Sequence, residues 1–171
     1  MKKIIFLSDI NGNYCSIQLA NKLVDLEKNE VIKYDCRILG EIDNFNHKQK
    51  EEIHSAFIAY GIDNAVENLL SLEKEPITIV GFSIGGTIAW EYALRSKSVN
   101  EIICFSSTRL RHQNKKPNCK IKLLFGELDK YKPNNNWFKG LDLKPVLVKS
   151  EGHEFYIKPN HFSFCSTLLS S

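Results

Sequence analysis

Pro76-Ile77-Thr78-Ile79-Val80-Gly81-Phe82-Ser83-Ile84-Gly85-Gly86 decides the fold. Ile77 to Val80 is a short β-branched run, which predicts a strand buried on both faces of a parallel sheet. Gly81-Phe82-Ser83-Ile84-Gly85 ends it as G-x-S-x-G, and Ile88, Ala89, Tyr92 and Ala93 then recur at helical spacing. Strand, sharp turn, helix is the setting in which this pattern presents a nucleophilic serine. The glycines let neighbouring segments approach closely, and the helix points free N–H groups at developing negative charge. Taken alone, the same five residues also fit a phosphate-binding turn or a turn that only packs.

Outward from this stretch, strands and helices alternate. Ile4 to Leu7 predicts a first strand, followed by a polar turn from Asp9 to Cys15 and a helical stripe of Ile17, Ala20, Leu23 and Val24. Val31 to Leu39 predicts a second strand. Residues 47–72 predict two helical pieces, the first carrying Ile53, Ala56, Phe57 and Tyr60. Gly61 breaks them apart, and Asp63 caps the second, with Val66, Leu69 and Leu70 on its apolar face. Ile102–Phe105, Ile121–Phe125 and Val146–Val148 complete the strands. Trp137-Phe138 falls in a short helix or turn, and residues 162–169 predict a terminal helix. This alternation means an α/β protein with a parallel sheet covered on both faces, whose ligands bind beyond the C-terminal ends of the strands.

Two such ends complement Ser83. A nucleophilic serine needs a base, and the base an orienting carboxylate. Phe125-Gly126-Glu127-Leu128-Asp129 follows one strand, and Lys149-Ser150-Glu151-Gly152-His153-Glu154-Phe155 follows the last. Ser83, Asp129 and His153 thus stand in the order serine, acid, histidine, each just after a strand. Glu127 and Asp142 are the alternative acids and His161 the alternative base, while His47, His54 and His112 read as surface histidines.

On Gly81-Phe82-Ser83-Ile84-Gly85-Gly86, Phe125 to Asp129 and Gly152-His153-Glu154-Phe155, the chain resembles the α/β-hydrolases, and among them the small dienelactone hydrolase-like group. The resemblance covers most of the chain and begins at what would be that family's third strand. It implies a three-layer α/β/α sandwich with a six-stranded, mainly parallel sheet in the order 2-1-3-4-5-6 and no cap domain. It implies a catalytic triad of Ser83, Asp129 and His153. The oxyanion donors would be the backbone N–H groups of Ile84 and, from Ser8-Asp9-Ile10-Asn11-Gly12, of Ile10, with Asn11 the second choice. Dienelactone hydrolases proper carry a cysteine nucleophile. Ser83 in its place favours an esterase or thioesterase acting on a small-molecule substrate, with no metal and no organic cofactor. Asn11, Phe82 and Arg109 are the expected substrate-binding residues. Without a cap, the site should be open and shallow. Arg109, Arg111, Lys115 and Lys116 form either a solvated basic loop or an attractor for an anionic ester. A non-catalytic binding protein on the same fold is the alternative from another class.

The opening MKKIIFLSDINGN also resembles metallophosphoesterases, which begin with a strand and Asp-x-His-Gly-Asn. Asn11 stands where that motif needs histidine. Gly40-Glu41-Ile42-Asp43 only faintly echoes the second signature, and Gly152-His153 is followed by Glu154 rather than by the closing x-His. A two-metal site needs the full set.

Length and composition bound the rest. A chain of 171 residues reads as one domain, since domains run to about 100–200 residues. With 43% hydrophobic and 25% charged residues, it is no collagen, coiled coil or disordered tail. Lys plus Arg is 23 against 20 for Asp plus Glu, a net charge of +3 too balanced to indicate a nucleic-acid partner. The first apolar run, Ile4 to Leu7, is shorter than the roughly 7–15 residues of a signal sequence. No stretch approaches the ~20 apolar residues of a membrane span. Cysteines 15, 36, 104, 119 and 165 have no metal-ligand spacing. Cys36 and Cys104 read as reduced core residues and Cys15 as buried filler. The expectation is a cytoplasmic protein with neither a nucleic-acid nor a membrane partner. The sequence assigns no oligomeric state.

Overall fold

The computed structural model describes residues 2–13 and 29–161. Six strands form one all-parallel sheet in the order β2-β1-β3-β4-β5-β6. They are β1 (Lys2–Leu7), β2 (Asn29–Tyr34), β3 (Ile77–Phe82), β4 (Val99–Phe105), β5 (Lys120–Gly126) and β6 (Val146–Val148). The helices are α1 (Cys36–Leu39), α2 (Lys50–Ala56), α3 (Ile62–Leu72), α4 (Ile84–Arg95) and α5 (Asn135–Gly140). This is the α/β class and strand order expected. The helix expected over Ile17–Val24, the terminal helix and Cys15 lie outside the described residues.

The strands alternate between two cores, as the two-residue period of a pleated sheet requires. Ile5, Leu7, Ile79, Ile102, Cys104 and Phe125 enter one core, together with Val66 and Leu69 of α3 and Ile88 and Trp90 of α4. Phe6, Val80, Phe82, Ile103, Phe105 and Leu124 enter the other, together with Phe155 and Tyr156. Burying both faces leaves only the strand ends for chemistry. Burying each Leu, Ile or Phe side chain contributes about 1.5–3 kcal/mol.

Two expected elements differ. The second strand stops at Tyr34 rather than Leu39. Asp35 caps the short helix α1 by accepting the Arg37 N–H, so Cys36, Ile38 and Leu39 belong to a helical turn. Gly61 does not break a helix. It keeps helical angles, φ −65° and ψ −31°, and ends a π-helical turn over Phe57–Gly61 that joins α2 to α3. Its lack of a side chain serves packing instead: a Cβ there would lie 2.6 Å from Ile42 Cδ1. Asp63, expected as a cap, pairs with Arg95 at 2.9 Å. Among the described residues, no helix is long and apolar enough to cross a membrane.

Candidate active site

The loops after β1, β3, β4, β5 and β6 converge at the C-terminal edge of the sheet. Ser83 follows β3 at φ 50° and ψ −109°, a backbone region that residues with a side chain rarely occupy. Its N–H donates to the Phe105 carbonyl at 2.7 Å, which pins the turn to β4. The flanking glycines make the turn sterically possible. A Cβ on Gly81 would sit 2.5 Å from the Gly85 carbonyl, and one on Gly85 would sit 2.5 Å from the Leu7 carbonyl oxygen.

Ser83 Oγ lies 3.0 Å from His153 Nε2, and His153 Nδ1 lies 2.7 Å from Asp129 Oδ2. The three side chains expected to act together are thus brought into one hydrogen-bonded line. Asp129 is only 3% exposed. Burial pushes its carboxyl pKa up, but the His153 and Tyr131 hydrogen bonds and the charges of His153 and Lys132 outweigh this and hold it below the ordinary value. Asp129 Oδ1 also accepts the Tyr131 N–H at 3.0 Å, which fixes the carboxylate plane. The alternatives lie elsewhere. Glu127 accepts the Ser150 N–H, Asp142 is exposed near Lys116, and His161 pairs with Glu151 at 2.8 Å.

Ile84 is the first residue of α4, so its N–H has no acceptor within the helix. Ile10 and Asn11 both border the cleft. The Asn11 N–H is committed to Asp9 Oδ1 at 2.9 Å, which favours Ile10 over Asn11 as the second donor. Asp9 is 2% exposed, and its carboxylate also accepts from the Asn13 N–H and the Tyr156 hydroxyl. Among the described residues, no group of three or more His, Cys, Asp or Glu side chains could hold a metal ion.

The cleft has a volume of about 780 Å³, within the range of small-molecule sites. Residues Lys50, Glu51, His54 and Ser55 of α2 form part of its wall. His54 is exposed, as expected of a surface histidine, and it also lines the cleft. Burial, followed by the charges of Arg109 and Arg111, holds its pKa below the usual value.

The substrate-binding expectations divide. Asn11 and Arg109 line the cleft. Phe82 is a correction: it is fully buried, stacked on Phe105 at 5.0 Å and packed against Tyr156, because its position in β3 faces the second core. Of the four basic residues after β4, Arg109 alone lines the cleft among the described residues. Arg111 donates to the Thr108 carbonyl at 3.0 Å, and Lys116 lies 3.9 Å from Asp142.

Sequence reasoning missed Ser106, Tyr156 and the α2 wall. Ser106 follows β4 at φ 49°, is fully buried, and donates from Oγ to the His153 carbonyl at 2.5 Å. Its place immediately after a strand was the available signal. Nothing in the α2 sequence distinguishes a cleft wall from an ordinary solvated face.

A family model for the dienelactone hydrolase family matches residues 41–142. No curated protein matches the sequence. Solved structures match over nearly the whole chain. One, an α/β serine hydrolase homologue from Coxiella burnetii, has 14% identity and a TM-score of 0.68, covering 98% of this chain and 83% of that one. Mouse α/β hydrolase domain-containing protein 10 has 14% identity and a TM-score of 0.65, covering 98% and 88%. A dienelactone hydrolase-like promiscuous phosphotriesterase from metagenomic libraries has 13% identity and a TM-score of 0.59, covering 99% and 86%. At these identities the likeness is one of fold.

Proposed function

Since the chain belongs to the dienelactone hydrolase family, whose members are hydrolases, we propose that it is a serine hydrolase of small carboxylic esters or thioesters. The observation that carries this reading is the line Ser83 Oγ, His153, Asp129, at 3.0 and 2.7 Å.

Ser83 Oγ attacks the acyl carbon while His153 Nε2 takes its proton. Asp129 holds the Nδ1–H and stabilises the imidazolium. The carbonyl oxygen becomes an oxyanion that accepts from the backbone N–H groups of Ile84 and Ile10. As the tetrahedral intermediate collapses, the carbon–oxygen or carbon–sulfur bond breaks and His153 protonates the leaving group. Water, deprotonated by the same imidazole, then attacks the acyl-enzyme. A second tetrahedral intermediate expels Ser83 Oγ, which regains the proton, and frees the acid. No step needs a metal or an organic cofactor.

Arg109 in the cleft wall supports a preference for substrates with an anionic group. The free thiols of Cys36, Cys104 and Cys119 are consistent with a reducing cytoplasmic setting.

A fluorophosphonate probe tests the reading. Wild type should be labelled and should turn over short nitrophenyl esters, and Ser83→Ala should do neither. A wild-type protein that neither labels nor turns over would refute it.

A further inference from the structure

We propose that Asp9 and Tyr156 form a brace that sets the oxyanion-binding loop against the histidine loop, making both of them positioning residues for the hydrolysis proposed above, on which this inference rests. One carboxylate does two jobs. Asp9 Oδ1 accepts the N–H groups of Asn11 at 2.9 Å and Asn13 at 2.8 Å, and the Asp9 N–H donates to the Asn13 carbonyl at 2.8 Å. These bonds close the turn that carries Ile10. Asp9 Oδ2 accepts the Tyr156 hydroxyl at 3.0 Å, across 147 residues of sequence. Tyr156 is the third residue after His153, so the bond joins the oxyanion loop directly to the loop of the base.

The brace is stiff at both ends. Asp9 and Tyr156 are each 2% exposed. The Tyr156 ring packs against Phe82 at 5.4 Å and edge-on to His153 at 6.4 Å between centroids. Burial and the neighbouring Asp9 charge push the phenol pKa far above its ordinary value, so the hydroxyl stays a donor. A buried carboxylate is costly unless donors surround it. The turn's backbone bonds all go to Oδ1 or the main chain, so closing it needs no link to Tyr156, whose hydroxyl shares Oδ2 with the Asn13 side-chain amide at 3.4 Å. That link matters to a reaction in which the Ile10 N–H and the His153 imidazole act on the same tetrahedral centre, with donors about 2.7–3.1 Å from the oxyanion. It should therefore act on the transition state and leave ground-state binding alone.

The test uses the whole chain with Tyr156→Phe, Asp9→Asn, Asp9→Ala and the Asp9→Asn/Tyr156→Phe double variant, assayed on nitrophenyl esters. Tyr156→Phe should lower kcat by roughly tenfold or more, with KM within about twofold of wild type. An alkylboronic acid, which forms a tetrahedral adduct on Ser83, should lose affinity by the same factor. The pH midpoint of kcat/KM should stay put, because the His153–Asp129 bond is untouched. Asp9→Asn, which keeps an acceptor for the turn, should retain more kcat than Asp9→Ala. The double variant should lose less than the product of the two single losses. A Tyr156→Phe enzyme with wild-type kcat, or one whose loss lies in KM alone, overturns the brace while leaving the hydrolase reading intact. If Tyr156→Phe fails to fold, equal kcat in Asp9→Asn and Asp9→Ala overturns it instead. A wild type without turnover or labelling removes the reading beneath, and the brace with it.

Discussion

Ser83 and Ser106 stand at the ends of neighbouring strands, at φ 50° and 49°, and both bond to His153. Ser83 meets the ring at Nε2, and Ser106 donates to the carbonyl of the same residue. Two strained serines thus hold one histidine by its side chain and its backbone. Backbone strain of this kind costs on the order of 1–3 kcal/mol at each position.

Ser106→Ala releases the backbone anchor while leaving the line Ser83, His153, Asp129 chemically complete. The His153 carbonyl loses a buried partner, which costs about 1 kcal/mol and about 2–4 °C in Tm. A shift of the imidazole by even part of an ångström should lower kcat by roughly tenfold. Thermal melts and steady-state assays measure both. Unchanged kcat at the lower Tm would confine Ser106 to a structural role.

Ser83→Gly should separate activity from stability. Glycine tolerates φ 50° without a Cβ penalty, so Tm should rise by a few degrees, the equivalent of roughly 1 kcal/mol, while ester turnover disappears. Ser83→Ala keeps the strain and should melt close to wild type. A Ser83→Gly protein less stable than Ser83→Ala would show that the backbone here is not strained.

Asp129→Asn keeps the shape of the acid but removes its charge. The loss in kcat should be about 10²–10⁴-fold, since the imidazole loses its orienting carboxylate and the partner of its positive form. The stability consequence depends on pH. The folded-state pKa of Asp129 is depressed, so its contribution is fully present above the unfolded value of about 3.9 and is lost as pH falls through the folded value. Melting wild type and variant at pH 7 and again near pH 3 should show the gap closing in acid. A gap that is the same at both would contradict the assigned direction.

Arg109→Gln bears on the cleft electrostatics. Burial is the main cause of the depressed His54 pKa and Arg109 the larger of the two charges adding to it, so removing this charge should let the pKa rise part of the way, visible by NMR titration. In the same variant any preference for anionic over neutral esters at low salt should fall. Equal kcat/KM for anionic and neutral esters in wild type would remove the anionic-substrate idea and leave the pKa prediction standing.

The sequence announces its strands because two-faced burial demands apolar runs, as in Ile77–Val80 and Ile121–Phe125. It blurs their starts, because Lys120 and Asn100 sit at the polar end of the sheet. It conceals the turn to α1: Cys36, Ile38 and Leu39 continue the apolar pattern of β2, and only the capping bond from Asp35 separates strand from helix. Ser83, Asp129 and His153 are legible because the serine, acid and histidine of the proposed line each stand just after a strand, in an order the sequence itself displays. Ser106 and Tyr156 act through a hydroxyl on a distant backbone or carboxylate, and such long-range bonds leave no local pattern. Phe82 misleads because adjacency to Ser83 in sequence says nothing of which sheet face a side chain takes.

The wall formed by α2 divides the labour of the cleft along the chain. Ser83, Asp129 and His153 follow β3, β5 and β6, whereas Lys50, Glu51, His54 and Ser55 come from α2, which carries none of them. On the proposed mechanism, changes at Glu51, His54 and Ser55 should alter what the cleft accepts more than how it cuts, whereas Lys50 pairs with Glu154 beside His153. On that mechanism the protein's preferences can drift, or be redirected by a small combinatorial library, while the proposed chemistry stays fixed.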